Sequence, residues 1–249
     1  MLKLIPLFSS SKGNCTYIES DHLRILVDIG VSCKRVTEAL NQLEVPSETI
    51  NAIFITHEHS DHVSGLKVFL KKYPIPVFAT NGTFRGIKEM PQELAHPFTP
   101  NHKFQMEGLT VFPFSIPHDA NEPCGYTFFN KTEKVTVATD LGHINLELLN
   151  IMEKSNTILL ESNHDVDMLR TGKYPYSLKQ RIIGNFGHLS NATSAKTVEY
   201  LIKKGTKNFI LAHLSEENNF PDLALETVRS QLKIGNIDLS DISIQVAQP

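Results

Sequence analysis

The stretch from Ile53 to Gly65 reads IFITHEHSDHVSG and restricts this chain more than any other. Ala52 to Ile55 is an apolar, largely β-branched run with the length of a buried strand. It stops at Thr56, and the next six residues contain His57, His59, Asp61 and His62. A packed core has no use for three imidazoles and a carboxylate at a strand end. In an extended segment alternate residues face the same way, so His57 and His59 are expected to point into one pocket. Asp61 and His62 then come from the turn that opens the following helix, expected over Val63 to Lys72. Imidazole nitrogen and carboxylate oxygen together suit zinc, manganese or iron. The competing reading is a solvated, histidine-rich loop, and other segments of the chain decide between the two.

Those segments share a regularity. An apolar, strand-like run is followed closely by a histidine or an acid at His118, Asp140, Glu161 and His213 as well. Strand carboxyl ends are where α/β architectures gather their sites, so these positions are candidates for one cleft. Around them the pattern predicts early strands over Leu2 to Phe8, Cys15 to Glu19 and Leu23 to Asp28, joined as a meander. Helices are expected over Ser32 to Leu43, Leu146 to Met152, Leu178 to Ile183, Ser190 to Lys203 and Asp222 to Ile234. His96 to Asn101 is punctuated by prolines and is expected to be a loop, and a long polar segment is expected to continue from His164 to Gly187, with the helix over Leu178 to Ile183 inside it. Strands alternate with helices while the early ones are hairpin-connected. The prediction is an α/β chain of two mixed sheets with outer helices.

Composition narrows the class. The 249 residues are 41% hydrophobic and 20% charged, with a formal net charge of −3, which excludes a globally basic coat for nucleic acid. The three cysteines, Cys15, Cys33 and Cys124, form no C-x-x-C pair and read as free thiols in a reducing, cytoplasmic setting. No apolar run has the ~20 residues needed to span a bilayer, and the N-terminus has no signal-peptide pattern.

The sequence THEHSDH resembles the H-x-H-x-D-H signature of the metallo-β-lactamase superfamily, and SSSKGNCTYI and LVDIG resemble its first strands and acidic turn. That resemblance implies an αββα sandwich, a single domain over residues 1–249, and two divalent ions per chain (zinc or manganese, with iron as an option). It implies that His57, His59 and His118 hold one ion, that Asp61, His62 and His213 hold the other, and that Asp140 bridges them. Cysteine at no ligand position separates the chain from lactamases with a thiolate ligand. Histidine at position 59 separates it from the flavin-linked di-iron branch.

Downstream, HDANEPCGY, ATDLGH, ESNHD, GKYPYSLKQRI, GHLSNATSA and LAHLSEENN resemble the YycJ/WalJ-like bacterial nucleases. GHLS and ESN resemble motifs of the larger β-CASP nucleases, whose inserted domain has no room here. The implied activity is hydrolysis of DNA phosphodiesters, 5′-to-3′ exonuclease-like, by a metal-activated hydroxide. Asp61 would help orient the nucleophile, His188 would assist the departing oxygen, and Glu161 and Asn163 would steady the ligands. Between Met168 and Val198 there are five basic residues and no acid, with Tyr174, Tyr176 and Phe186 interleaved. Such a stretch fits a phosphate track with stacking surfaces. The candidates for substrate contact are Lys173, Tyr174, Lys179, Arg181, Ser190 and Asn191. Two alternatives stand beside the nuclease: a thioester or lactone hydrolase with the same ligands, and a non-catalytic metal-stabilised nucleic-acid-binding module. Oligomeric state is not legible in the sequence.

Overall fold

The computed structural model describes residues 1–248. Its strands form two mixed sheets, of six and seven strands. Contacts group the described chain into two compact units, one of residues 1–115, 120–132 and Gln248, the other of residues 116–119 and 133–247.

In the first unit β1 (Lys3–Ser10), β2 (Gly13–Glu19) and β3 (Arg24–Val27) make the expected antiparallel meander. A crossover through α1 (Cys33–Gln42) brings in β4 (Ala52–Phe54) parallel to β3. α2 (Ser60–Val63) and α3 (Leu66–Lys72) lead to β5 (Val77–Thr80), and α4 (Asn81–Gly86) leads to β6 (Ala95–Phe98), both strands again parallel. Strand alternation sends successive residues to opposite faces, and β4 uses both. Ile53 joins the cluster formed with Val36 and Leu40 of α1 and Leu66 and Phe69 of α3. Phe54 faces the other way, against the antiparallel strands β7 (Phe104–Met106), β8 (Leu109–Ser115) and β9 (Cys124–Phe129). There it meets Tyr126 and Phe128 edge-on, each with ring centroids 5.3 Å away, and stacks on Phe78 at 5.0 Å. Burying a ring of this size is worth ~1.5–3 kcal/mol, so both faces of this short strand are anchored.

Two expectations are corrected here. Ala95 to Phe98 is a strand although it contains Pro97, because it is the edge of the six-stranded sheet, where a missing N–H breaks no ladder. The helix expected from Val63 to Lys72 is two helices, interrupted at Ser64 and Gly65, where Gly65 donates its N–H to the Ile29 carbonyl at 2.9 Å.

The second unit contains four parallel strands, β10 (Lys134–Ala138), β11 (Thr157–Glu161), β12 (Asn208–Ala212) and β13 (Ser243–Val246). α5 (Leu146–Met152) connects the first two. Between β11 and β12 run α6 (Val166–Thr171), α7 (Tyr176–Ile183) and α8 (Asn191–Lys203), and α9 (Pro221–Ile234) follows β12. α6 and the start of α7 lie in the polar segment, ahead of the helix expected there from Leu178. Asp165 caps α6, its side chain accepting from the N–H of Asp167 and of Met168, a signal in plain view. α8 and α9 contact each other, and each carries a buried stripe, Ala195, Val198 and Leu201 on one and Ala224, Val228 and Leu232 on the other. The parallel register pairs Ala138 with Leu160 and Glu161 with Ala212. Asp140, Glu161 and His213 therefore leave the sheet at one edge.

Candidate metal centre

The first unit builds its donors around Asp28, the residue after β3. Its backbone is left-handed, with φ +64°, a conformation that aspartate tolerates better than most residues. The carboxylate accepts from Thr56 N–H at 2.8 Å and Thr56 hydroxyl at 2.9 Å, and lies 2.8 Å from His62 Nδ1. Burial raises the Asp28 carboxyl above its ordinary value, against the opposing pull of His62 and Thr56. With Nδ1–H committed to a carboxylate, His62 presents Nε2 as its lone-pair nitrogen, the arrangement that orients metal-binding histidines. Thr56 Oγ1 is also 3.0 Å from His57 Nδ1, which gives that ring the same polarity when the hydroxyl accepts.

This also explains why the motif is not a strand. Thr56 donates its N–H to Asp28 instead of continuing the ladder, so β4 ends at Phe54. His57 and His59 converge, as expected, but not through strand alternation, because β4 ends before them. They are brought together by the turn before α2, with His57 Nε2 and His59 Nδ1 3.0 Å apart. Two ligands ~2.0–2.1 Å from one zinc in a tetrahedral site stand about 3.3 Å apart, so a modest adjustment makes this pair a chelate. Asp61 Oδ2 is 3.4 Å from His62 Nε2. Asn14 Nδ2 lies 3.2 Å from His62 Nε2 and 3.3 Å from the Asp61 carbonyl oxygen. Between Asn14 and Asp61 runs Gly30, where an added Cβ would fall 1.7 Å from the Asp61 carbonyl oxygen. Only glycine lets the acidic turn pass this close.

The second unit has a centre of its own in Glu161, fully buried at the end of β11. Oε1 lies 2.7 Å from His188 Nδ1 and 2.9 Å from His213 Nδ1, and Oε2 accepts from the N–H groups of Leu141 at 2.7 Å and Leu189 at 3.1 Å. Burial by itself would raise this carboxyl, but the two imidazoles outweigh it and hold Glu161 at about 2. Asp140 Oδ1 is 3.5 Å from His213 Nε2 and 3.8 Å from both His118 Nε2 and His188 Nδ1. Asp140, Glu161, His188 and His213 each offer a ligand atom, all within 4.8 Å of one another. Asp140 and His213 are left-handed, with φ +60° and +55°; strain of this kind recurs at functional sites. His118 is held by an Nδ1 contact to the Gly187 carbonyl at 3.2 Å, and burial keeps its imidazole below the ordinary value against Asp140. Asn163 donates to the His213 carbonyl at 2.9 Å.

The donor chemistry fits divalent ions. Every clustered atom is imidazole nitrogen or carboxylate oxygen, the ligands of zinc, manganese and iron. The cysteines are buried and free, and burial pushes the thiols of Cys15 and Cys124 up, the latter to about 12.

The substrate candidates are placed differently from one another. Lys173 is exposed and Tyr174 half-buried, and the rings of Tyr176 and Phe186 are exposed. Arg181 forms an ion pair with Asp119, and Lys179 Nζ donates to the carbonyls of Arg170 and Gly172 at the end of α6. Ser190 caps α8 by accepting from Thr193 N–H. Asn191 is buried in an amide network with Ser162 and Asn219, with no group left to face a ligand. His22, His96 and His102 are exposed, as expected, although His96 lies in β6 rather than in a turn and stacks on Phe78. Asp28 obeys the same strand-then-acid rule as Asp140, and that signal marks it as an orienting residue. Asn14 carried no signal of its own.

This chain belongs to the metallo-β-lactamase superfamily: residues 23–214 match the family described as beta-lactamase superfamily domain. It is 36% identical over 231 residues to exodeoxyribonuclease YycJ of Bacillus anthracis, a match covering 91% of this chain and 88% of that one. It is equally similar, 36% over 232 residues, to exodeoxyribonuclease WalJ of Streptococcus pneumoniae, covering 91% and 86%. Among solved structures, the metallo-β-lactamase fold protein YhfI from Bacillus subtilis superposes with a TM-score of 0.73 over 99% of this chain and 96% of that chain, at 12% identity. No helix among the described residues is long and apolar enough to cross a membrane.

Proposed function

We propose that this protein is a dinuclear-metal exodeoxyribonuclease of the cytoplasm that degrades DNA from the 5′ end, built as one metallo-β-lactamase domain without an inserted β-CASP domain. The similarity to YycJ and WalJ over nine-tenths of the chain carries this reading. The imidazole and carboxylate clusters of both units support it. His57, His59 and His118 would hold one ion, Asp61, His62 and His213 the other, with Asp140 common to both. Zinc or manganese bound there would lower the pKa of water toward ~7 and neutralise charge on a phosphodiester.

The chain's own groups divide the remaining work. Asp28 and Thr56 fix the ring orientation of His62 and His57, and Glu161 does so for His213. Asp61 accepts a hydrogen bond from the attacking water and aligns it. His188 has its Nδ1 on Glu161, and its side chain is 14% exposed where those of His118 and His213 are 1% and 2%. It is the imidazole of this cluster open to a ligand, and its Nε2 donates a proton to the departing oxygen. Lys173 contacts phosphate, with Tyr174, Tyr176 and Phe186 as stacking surfaces. Arg181, Lys179, Ser190 and Asn191 act by holding Asp119, the end of α6 and the start of α8 in place.

End-labelled single-stranded and duplex oligonucleotides, incubated with manganese or zinc, test the reading. Stepwise loss from a 5′ label is expected, abolished by chelation and by Asp140→Ala. Wild-type turnover in a verified metal-free Asp140→Ala protein would refute it, as would hydrolysis of thioesters with no cleavage of DNA.

A further inference from the structure

β6 is the last strand of the six-stranded sheet, and a column of rings ends on it. Phe54 of β4, Phe78 of β5 and His96 of β6 are paired in register across the three strands. Phe54 and Phe78 stack at 5.0 Å with 16° between their planes, and Phe78 and His96 at 5.0 Å with 22°. The column stops at His96, which is exposed and has no hydrogen bond among the described residues.

The same edge carries a cavity of about 490 Å³, walled by the rings of Phe78, Phe98 and Phe104. That volume is within the ~300–1,000 Å³ of small-molecule sites. Thr99, His102 and Lys103 supply its polar lining, and all three are exposed. His102 Nδ1 lies 3.1 Å from the Pro100 carbonyl oxygen, which leaves Nε2 available. Lys103 has no hydrogen bond or ion pair among the described residues. No acid lines the cavity, and the sequence from Ala95 to Met106 contains no Asp or Glu.

These features limit the occupant. A cation without a counter-ion, in a lining without an acid, complements an anion. Aromatic walls and the open end of a ring column complement a flat ring. An edge strand also invites an added strand from a second copy or a peptide, but Pro97 of β6 lacks the N–H that such pairing needs. Phosphates alternating with flat rings are what a nucleic-acid strand presents.

We propose that this edge is a second contact for the substrate strand, separate from the metal donors. One base stacks on His96 as the fourth ring of the column, the next lies in the cavity against Phe98 and Phe104, and Lys103 with His102 holds a phosphate. The inference rests on the nuclease reading and traces part of its strand path. β4, β5 and β6 are parallel, so Phe98 and Thr99 leave the sheet on the same side as His57, two strand spacings or ~10 Å from β4. Stacking needs unpaired bases, so the site takes single-stranded DNA, and it is indifferent to sequence because every base has a π-face.

The test reads binding by fluorescence anisotropy on the full chain with a chelator, using fluorescein-labelled single-stranded oligo-dT over a salt series. His96→Ala is expected to raise Kd about fivefold or more, the order of one lost base stack, and His96→Tyr to restore it. Lys103→Ala is expected to reduce the slope of log K against log salt by about 0.7, the value of one phosphate contact on a single strand. Oligonucleotides carrying 5-iodouracil are expected to photocrosslink within residues 96–104. A wild-type Kd in His96→Ala, an unchanged slope in Lys103→Ala, or crosslinks confined to other residues overturns the proposal, as does absence of DNA binding. Cleavage by the unaltered protein with manganese is measured in parallel. If DNA is cut while the variants bind like wild type, the edge site fails and the nuclease stands. If DNA binds and crosslinks at this edge but is not cut, the nuclease reading fails and the edge site stands.

Discussion

Replacing Glu161 by glutamine changes one atom and probes the whole second cluster. The carboxylate accepts four hydrogen bonds, from His188, His213, Leu141 and Leu189, and is fully buried. Glutamine keeps one oxygen and sets an amide N–H₂ against the two donors on the other side. Two bonds to a charged acceptor at ~1.5–3 kcal/mol each give a loss of about 3–6 kcal/mol, comparable with breaking a buried ion pair. At ~2–4 °C per kcal/mol for a chain of this length, Tm falls by roughly 6–24 °C. Thermal and urea unfolding with a chelator present read this free of any contribution from bound metal. The acid limb provides a second check. The folded carboxyl sits at about 2 against its ordinary 4.5, so its contribution is fully present above that ordinary value and fades as pH falls toward 2. Glu161→Gln lacks that part of the acid dependence. A shift in Tm under ~2 °C, or an unaltered acid profile, would refute the role given to Glu161.

Gly30→Ala pushes a methyl group into neighbouring backbone, 1.7 Å from the Asp61 carbonyl oxygen and 2.6 Å from the Asn14 nitrogen. A destabilisation of ~1–3 kcal/mol or more is expected, with weaker metal binding by calorimetry; wild-type affinity would contradict it. Asp28→Asn keeps the shape of the side chain but weakens the hold on His62, so metal affinity should drop ~10–100-fold with the backbone circular dichroism unchanged. Lys134 is half-buried with its Nζ on the Ile151 and Glu153 carbonyls, and that burial lowers its pKa. Lys134→Met should cost ~1–3 kcal/mol in urea unfolding, and a neutral result would mean that water replaces the bonds. Cys15 and Cys124 should resist alkylation at pH 8 in the native protein and react on unfolding; rapid native modification would contradict their burial.

Much of the candidate site can be read from residue order, because its donors follow apolar runs. The sequence alternation of β10, β11 and β12 with helices makes the strands parallel, and parallel strands put Asp140, Glu161 and His213 at one edge. The misreadings have a shared origin. Pro97 argues against a strand only if the strand is internal, and edge position is a property of the sheet order. The break between α2 and α3 comes from a hydrogen bond to Ile29, far away in sequence. The basic stretch around α7 reads as one phosphate track, yet Arg181 is committed to Asp119 and Lys179 to the end of α6. Charge composition does not reveal partners.

The sequence by itself determined the metal-donor chemistry, the family and the strand-and-helix alternation, since these rest on residue type and local spacing. Only the tertiary structure decided what orients the donors. Asp28 meets Thr56 and His62, Glu161 meets His188 and His213, and Asn14 reaches the Asp61 turn through pairs distant in the chain. A hydrogen bond depends on distance and direction between two atoms, and for residues far apart in sequence folding alone sets both.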